Sequence, residues 1–207
     1  MDKQKFIEAF VSEREIIDEG IKRESCLMIA LENARVLNRC NKDGKSLSID
    51  ICGKLDGIIE FEPFIGLVNY LLILDMIGVV FGKQRDVGKR IEEVLLEFGE
   101  VICEKERKAI SCLRNCLAHN YGLADGGKKI KFILNNSCDE MIILPDNEWS
   151  GNYSDKEEST STTINPQKLI DKIEGIYSEV KKQVLEGKLN TKLTVEELKS
   201  RFTIIIG

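Results

Sequence analysis

Residues 64–82 read FIGLVNYLLILDMIGVVFG, a run in which only Asn69 and Asp75 are strongly polar. Its length approaches the roughly 20 residues that span a bilayer. An acid at mid-span, however, costs about 2.5 kcal/mol or more on insertion scales. Asn69 adds to that cost, and no second run of this kind accompanies it. A helix packed on all sides by neighbours has the same all-round apolar pattern. The stretch is therefore read as the central helix of a bundle, with no membrane span. Pro63 falls in its first turn, where a missing N–H does no harm.

Upstream, residues 3–20 predict a helix, with Phe6, Ile7, Phe10 and Ile17 recurring at helical steps. A second helix is expected over residues 23–39, where Cys26, Leu27, Ala30, Leu31, Ala34 and Leu37 keep that period. Turn residues 41–44 end it, and residues 46–62 read as irregular or as a short helix. Downstream, Asp86 can cap an amphipathic helix with Ile91, Val94, Leu95 and Phe98 on its buried stripe. The stripe continues through Ala109, Ile110, Leu113 and Leu117, either in one long helix or after a break near residues 104–107. Gly122 offers a stop.

The pattern then changes. KIKFIL (129–134) and EMIIL (140–144) predict a β-hairpin insertion over residues 128–145. Residues 146–163, rich in Ser, Thr and acids, read as a polar mobile loop. Asn165 and Pro166 open the last long helix as cap and first-turn proline. Thr194 and Glu197 form a capping-box signature, and FTIII (202–206) reads as a strand joining the hairpin. The expected fold is mainly α: a single domain over residues 1–207, built as an antiparallel helical bundle with a small hairpin before the last long helix.

The net charge of −5 gives no broad basic footprint for nucleic acid, so any contact with RNA must come from a local cleft. Seven scattered cysteines and a start, MDKQKFIEAF, without an apolar leader core point to free thiols and a cytoplasmic setting.

Residues 113–122, LRNCLAHNYG, hold the single histidine, five positions after Arg114. An imidazole titrates near neutrality and can take or give a proton. A guanidinium matches phosphate oxygens. Together they can cleave RNA without a metal: one deprotonates a ribose 2′-OH, the other stabilises charge on phosphorus. On one straight helix, five residues turn about 140° and advance about 7.5 Å. Arg114 and His119 therefore converge only if the helix ends or bends near His119, or if a two-fold dimer brings two copies together. The dimer is the favoured arrangement. The bland alternative leaves His119 to the terminal carbonyls and Arg114 to an ion pair.

The pattern R-N-x-x-A-H-N-Y-G resembles the signature of the HEPN superfamily. His119-Asn120-Tyr121 is also similar to the R-x4-H-x-Y form of toxins paired with minimal nucleotidyltransferase antitoxins. The resemblance implies a HEPN-like helical bundle, a homodimer and a metal-independent endoribonuclease in defence or toxin–antitoxin systems. It implies His119 as acid or base, Arg114 as phosphate stabiliser, and Asn115 and Tyr121 as substrate-positioning residues. Tyr121 is also implied as a site of modification by a nucleotidyltransferase partner or antitoxin. No cofactor is expected, and both catalytic residues are expected to be replaceable by alanine without loss of folding. Some HEPN proteins only bind nucleotides or partners, and that is the alternative function.

Two other chemistries were weighed. Cys112, Cys116 and His119 share a helical face, but zinc needs a fourth ligand, and Cys138 is the nearest spare. A Cys116–His119 thiol enzyme would leave no second histidine for acid–base work. Packing explains both cysteines more simply, and no metal is assigned.

Overall fold

The computed structural model describes residues 1–38, 62–100, 102–120 and 122–206. Among them the chain is 55% helical and 14% strand, with seven helices and two small sheets. This mixed α/β architecture corrects the expectation of a mainly α, HEPN-like bundle carrying one hairpin.

The helices are α1 (Lys3–Ser12), α2 (Cys26–Leu37), α3 (Glu62–Phe81), α4 (Val87–Phe98), α5 (Glu104–Asn120), α6 (Pro166–Leu185) and α7 (Val195–Phe202). The apolar stretch that opens the sequence argument forms α3, which packs against α2, α4, α5 and α6. Leu67, Tyr70, Leu71, Ile73, Leu74 and Ile77 are buried along it. Four neighbouring helices cover most of its surface, which accounts for its lack of a polar face. No helix among the described residues is long and apolar enough to cross a membrane.

The caps follow their sequence signatures. Asp86 and Asn165 accept from the amides of Lys89 and Lys168, and Thr194 and Glu197 close a reciprocal capping box. Between α4 and α5 the chain breaks rather than continuing as one helix. Gly99 caps α4, and Glu100 takes a left-handed φ of 53° before α5 starts at Glu104. The break thus precedes residues 104–107. The irregular or helical stretch expected over residues 46–62 lies outside the described residues, apart from the first residue of α3.

The first sheet departs from the expected helix over residues 3–20. After α1 the chain enters β1 (Glu15–Asp18) and returns as β2 (Ile21–Ser25). Glu19 and Gly20 turn the corner with φ of 51° and 80°. Two left-handed residues in a two-residue loop match the twist of an antiparallel pair, and glycine takes that conformation without strain. The burial of β1 alternates, with Ile16 and Asp18 inward. The C-terminal strand β7 (Thr203–Ile205) forms as predicted but pairs with β2, placing Arg23 opposite Ile205.

The second sheet corrects the predicted hairpin. Its strands β3 (Ala124–Asp125), β4 (Ile130–Leu134), β5 (Ile142–Ile143) and β6 (Thr162–Ile164) lie in the order β3-β4-β6-β5. β4 and β5, the two runs expected to pair, are separated by β6, which runs parallel to β4 and antiparallel to β5. β6 comes from the stretch read as a polar loop. Its β-branched residues bury Thr162 and Ile164, and the Asn165 side chain ties down the carbonyls of Asn136 and Cys138. The same stretch buries Trp149, whose indole N–H donates to the Asn152 carbonyl at 3.1 Å.

Asp18 is buried where β1 meets α7, against the Lys199 ammonium and the α-ammonium of Met1. Lys199, then Met1, holds its carboxyl below the ordinary value. A lowered folded-state pKa adds stability that is complete above the unfolded value of about 3.9 and lost as pH falls through the folded value. Asp18→Asn is therefore expected to lower the urea midpoint at neutral pH. The gap from wild type should narrow as pH falls below the unfolded value of about 3.9 and close below the lowered folded value.

Candidate functional site

The site grows from three helices. Gly78 of α3 has no side chain where α4 crosses: a Cβ there would lie 2.9 Å from the Arg90 Cβ. This close approach brings Arg90 beside Asp75, nearly one helical turn earlier on α3. Arg90 donates through Nε (3.1 Å) and Nη2 (2.9 Å) to Asp75 Oδ1, and through Nη1 to the Arg85 carbonyl at 2.7 Å. From α5, Arg114 donates through Nη2 to Asp75 Oδ2 at 2.9 Å. One carboxylate is thus shared by two guanidinium groups, and the trio keeps a net positive charge.

Arg114 is only 9% exposed. Its Nη1 makes a long contact of 3.3 Å with Asn115 Oδ1, and its buried Nε has no partner among the described residues. A buried donor without a partner costs about 1–3 kcal/mol. The pairing with Asp75 argues against the expectation that Arg114→Ala would leave folding intact, because the substitution takes the partner from Asp75 Oδ2 and leaves Arg90 as the carboxylate's remaining cation. Arg90 was missed from sequence. A lone acid in an apolar helix announces a partner, but only the α3–α4 crossing says which.

His119 lies at the other end of the motif. It is exposed in the last turn of α5 and makes no side-chain hydrogen bond among the described residues. The helix continues through Asn120, and the Gly122 amide folds back to the Cys116 carbonyl at 3.3 Å. Arg114 and His119 lie five residues apart on this uninterrupted helix, a spacing that turns them about 140° from each other. Arg114 and Asn115 are therefore brought together, His119 stands apart, and Tyr121 lies outside the described residues.

The thiols of α5 read differently. Cys116 is buried, and burial pushes its pKa up to about 11; burial also raises that of Cys112. Both favour the neutral thiol, the poorer nucleophile and metal ligand. Among the described residues no three His, Cys, Asp or Glu side chains cluster so as to hold a metal ion. Native alkylation at pH 8, read by mass spectrometry, is expected to label the exposed Cys103 well before Cys116. Equal labelling of the two would contradict this burial.

A second buried polar cluster was not foreseen. Glu174 of α6 receives Arg35 of α2 through Nε (2.8 Å) and Nη2 (2.6 Å), and the Tyr70 hydroxyl of α3 at 2.6 Å. Arg35 also lies 5.8 Å from the ring centre of Tyr177, whose hydroxyl donates to the Val11 carbonyl. Burial raises the Tyr177 pKa to about 12. All these groups are satisfied within the protein and serve to join α1, α2, α3 and α6.

Comparison of the chain with family models, with curated proteins and with solved structures finds no match.

Proposed function

We propose that this chain is a metal-independent endoribonuclease of the HEPN type, acting as a cytoplasmic homodimer. The observation that carries the reading is the division of labour along α5. A guanidinium is preset by Asp75, and an exposed imidazole with no side-chain hydrogen bond among the described residues sits at the helix end. Within one chain the two face apart, so the reading requires a composite cleft in which one copy's His119 meets the phosphate held near the other's Arg114.

In such a cleft His119 takes the proton of the ribose 2′-OH. The 2′-oxygen bonds to phosphorus, and the P–O5′ bond breaks. The departing 5′-oxygen receives a proton from the second copy's imidazole, leaving 2′,3′-cyclic phosphate and 5′-hydroxyl ends. Arg114 offsets the charge that builds on the non-bridging oxygens. Asn115 orients the arginine or the substrate, and no cofactor is required. The motif supports a defence or toxin–antitoxin setting with an antitoxin or nucleotidyltransferase partner, for which Tyr121 is the modification site.

The test is cleavage of a mixed RNA in EDTA. Wild type is expected to produce cyclic-phosphate ends, and His119→Ala to lose about 10²–10⁴-fold in rate. Because His119 is exposed, its melting temperature should not change. Near-wild-type cleavage by His119→Ala would sink the assignment. A second reading, a non-catalytic nucleotide- or partner-binding module, is favoured by the burial of Arg114 against Asp75. Absence of cleavage by both proteins would select it.

A further inference from the structure

The C-terminal half of α4, the residues just beyond it and the middle of α6 border a groove of about 770 Å³. It contains none of Asp75, Arg90, Arg114 or His119. Phe98, Ile102 and Ile176 are buried at its floor, while Leu96 beside them is 64% exposed, an apolar side chain left uncovered among the described residues. Glu97, Glu100, Asp171 and Glu179 line the groove, with Lys172 as the one cation among the described lining residues. Lys172 lies 3.6 Å from Glu100, Lys182 approaches Glu179 at 3.8 Å from outside the lining, and Glu179 accepts from Gln183 at 2.9 Å. The lining therefore keeps a clear negative excess.

Gly175 supplies an independent observation. It sits inside α6 and lines the groove, and a Cβ there would meet nothing within 4 Å. Glycine is the least helix-prone residue after proline. Among the described residues nothing occupies the space that its missing side chain leaves open. A glycine on one helix lets the backbone of another approach closely.

We propose that this groove docks a basic amphipathic helix of a second protein. Its apolar side packs on Leu96, Phe98, Ile102 and Ile176, with its backbone close over Gly175. Its flanking Lys and Arg residues face Glu97, Glu100, Asp171 and Glu179. Helix-in-groove recognition combines an apolar stripe with charged flanks in this way. Electrostatics select the occupant. RNA and anionic lipid would meet a rim of their own charge, and a second copy placed about a two-fold axis would set the same carboxylates against each other.

The experiment is fluorescence anisotropy of a synthetic amphipathic peptide, with Leu on one helical face and Lys elsewhere, titrated with the full chain. A matched peptide with Glu in place of Lys is the control. Wild type is expected to bind the Lys peptide and ignore the Glu peptide, with affinity falling as salt rises. Gly175→Leu should fill the groove and weaken binding by about tenfold or more, as for loss of a hot-spot contact. The same substitution improves the helix, so the melting temperature should rise by about 2–4 °C. Glu97→Lys with Asp171→Lys should weaken binding similarly and flatten its salt dependence. Glu196→Lys, on exposed α7, should bind as wild type. Unchanged binding by Gly175→Leu, equal binding of both peptides, or no binding by wild type overturns the proposal. So does a wild-type dimer that Gly175→Leu splits into monomers, which would give the groove to a second copy. These readouts do not depend on RNA cleavage.

Discussion

Glu174→Ala is expected to be among the most destabilising single substitutions in the helical core, at about 3–5 kcal/mol. Glu174 is 7% exposed and accepts both arms of the Arg35 fork and the Tyr70 hydroxyl. Removing it leaves a guanidinium and a phenol facing a cavity where three helices meet. In a chain of this size each kcal/mol lowers the melting temperature by about 2–4 °C, so a fall of about 6–20 °C is expected. Arg35 and Tyr70 have other interactions as well, which moderates the loss. Glu174→Gln keeps the shape and one acceptor oxygen and should fall between wild type and Ala. A Glu174→Ala protein that melts within about 2 °C of wild type would show that the cluster adds little.

Asp75→Ala is the second large effect, and it reaches the candidate site. The substitution leaves Arg90 and Arg114 close together without their shared carboxylate. Breaking a buried pair costs about 3–5 kcal/mol. Here the side chains of Asp75, Arg90 and Arg114 keep 15%, 15% and 11% exposure, so solvent screens part of the charge. The lower end, about 3 kcal/mol, is expected. Thermal melts of Asp75→Ala, Arg114→Ala and the double variant should be clearly non-additive, because one contact is removed in all three. Additive losses would mean that Asp75 and Arg114 are not coupled. In the RNA assay the folded fraction of Asp75→Ala should also cleave more slowly, since Arg114 loses the group that aims it.

The burial of Arg114 changes how the motif is tested. His119→Ala removes an exposed side chain and isolates the chemistry. Arg114→Ala mixes any catalytic loss with the cost of a buried carboxylate left with Arg90 alone. Sequence spacing alone placed both residues on one helix and separated their faces by about 140°. It held no information on which group Arg114 would meet, because that depends on α3 lying beside α5.

Local signals were legible. The helical cores of α2, α3, α4 and α6 follow from apolar steps of three and four, and the caps at Asp86, Asn165 and Thr194 act within a single turn. The Glu19-Gly20 turn was also local, but the apolar steps running into Ile17 masked it. The identity of strand partners was not local. β6 was hidden in a polar stretch because Thr162 and Thr163 score as loop by polarity, yet their β-branched side chains fit a half-buried strand.

By itself, then, the sequence determined where most helices run, how several of them start, and that α3 must lie at the centre of the core. These properties depend on interactions within a few residues or on one segment's demand for burial. Only the tertiary structure decided that β7 joins β2, that β6 parts β4 from β5, and that Arg90 and Arg114 share Asp75. Those pairings join groups far apart in the chain. Residue type makes many partners compatible, and packing geometry admits one.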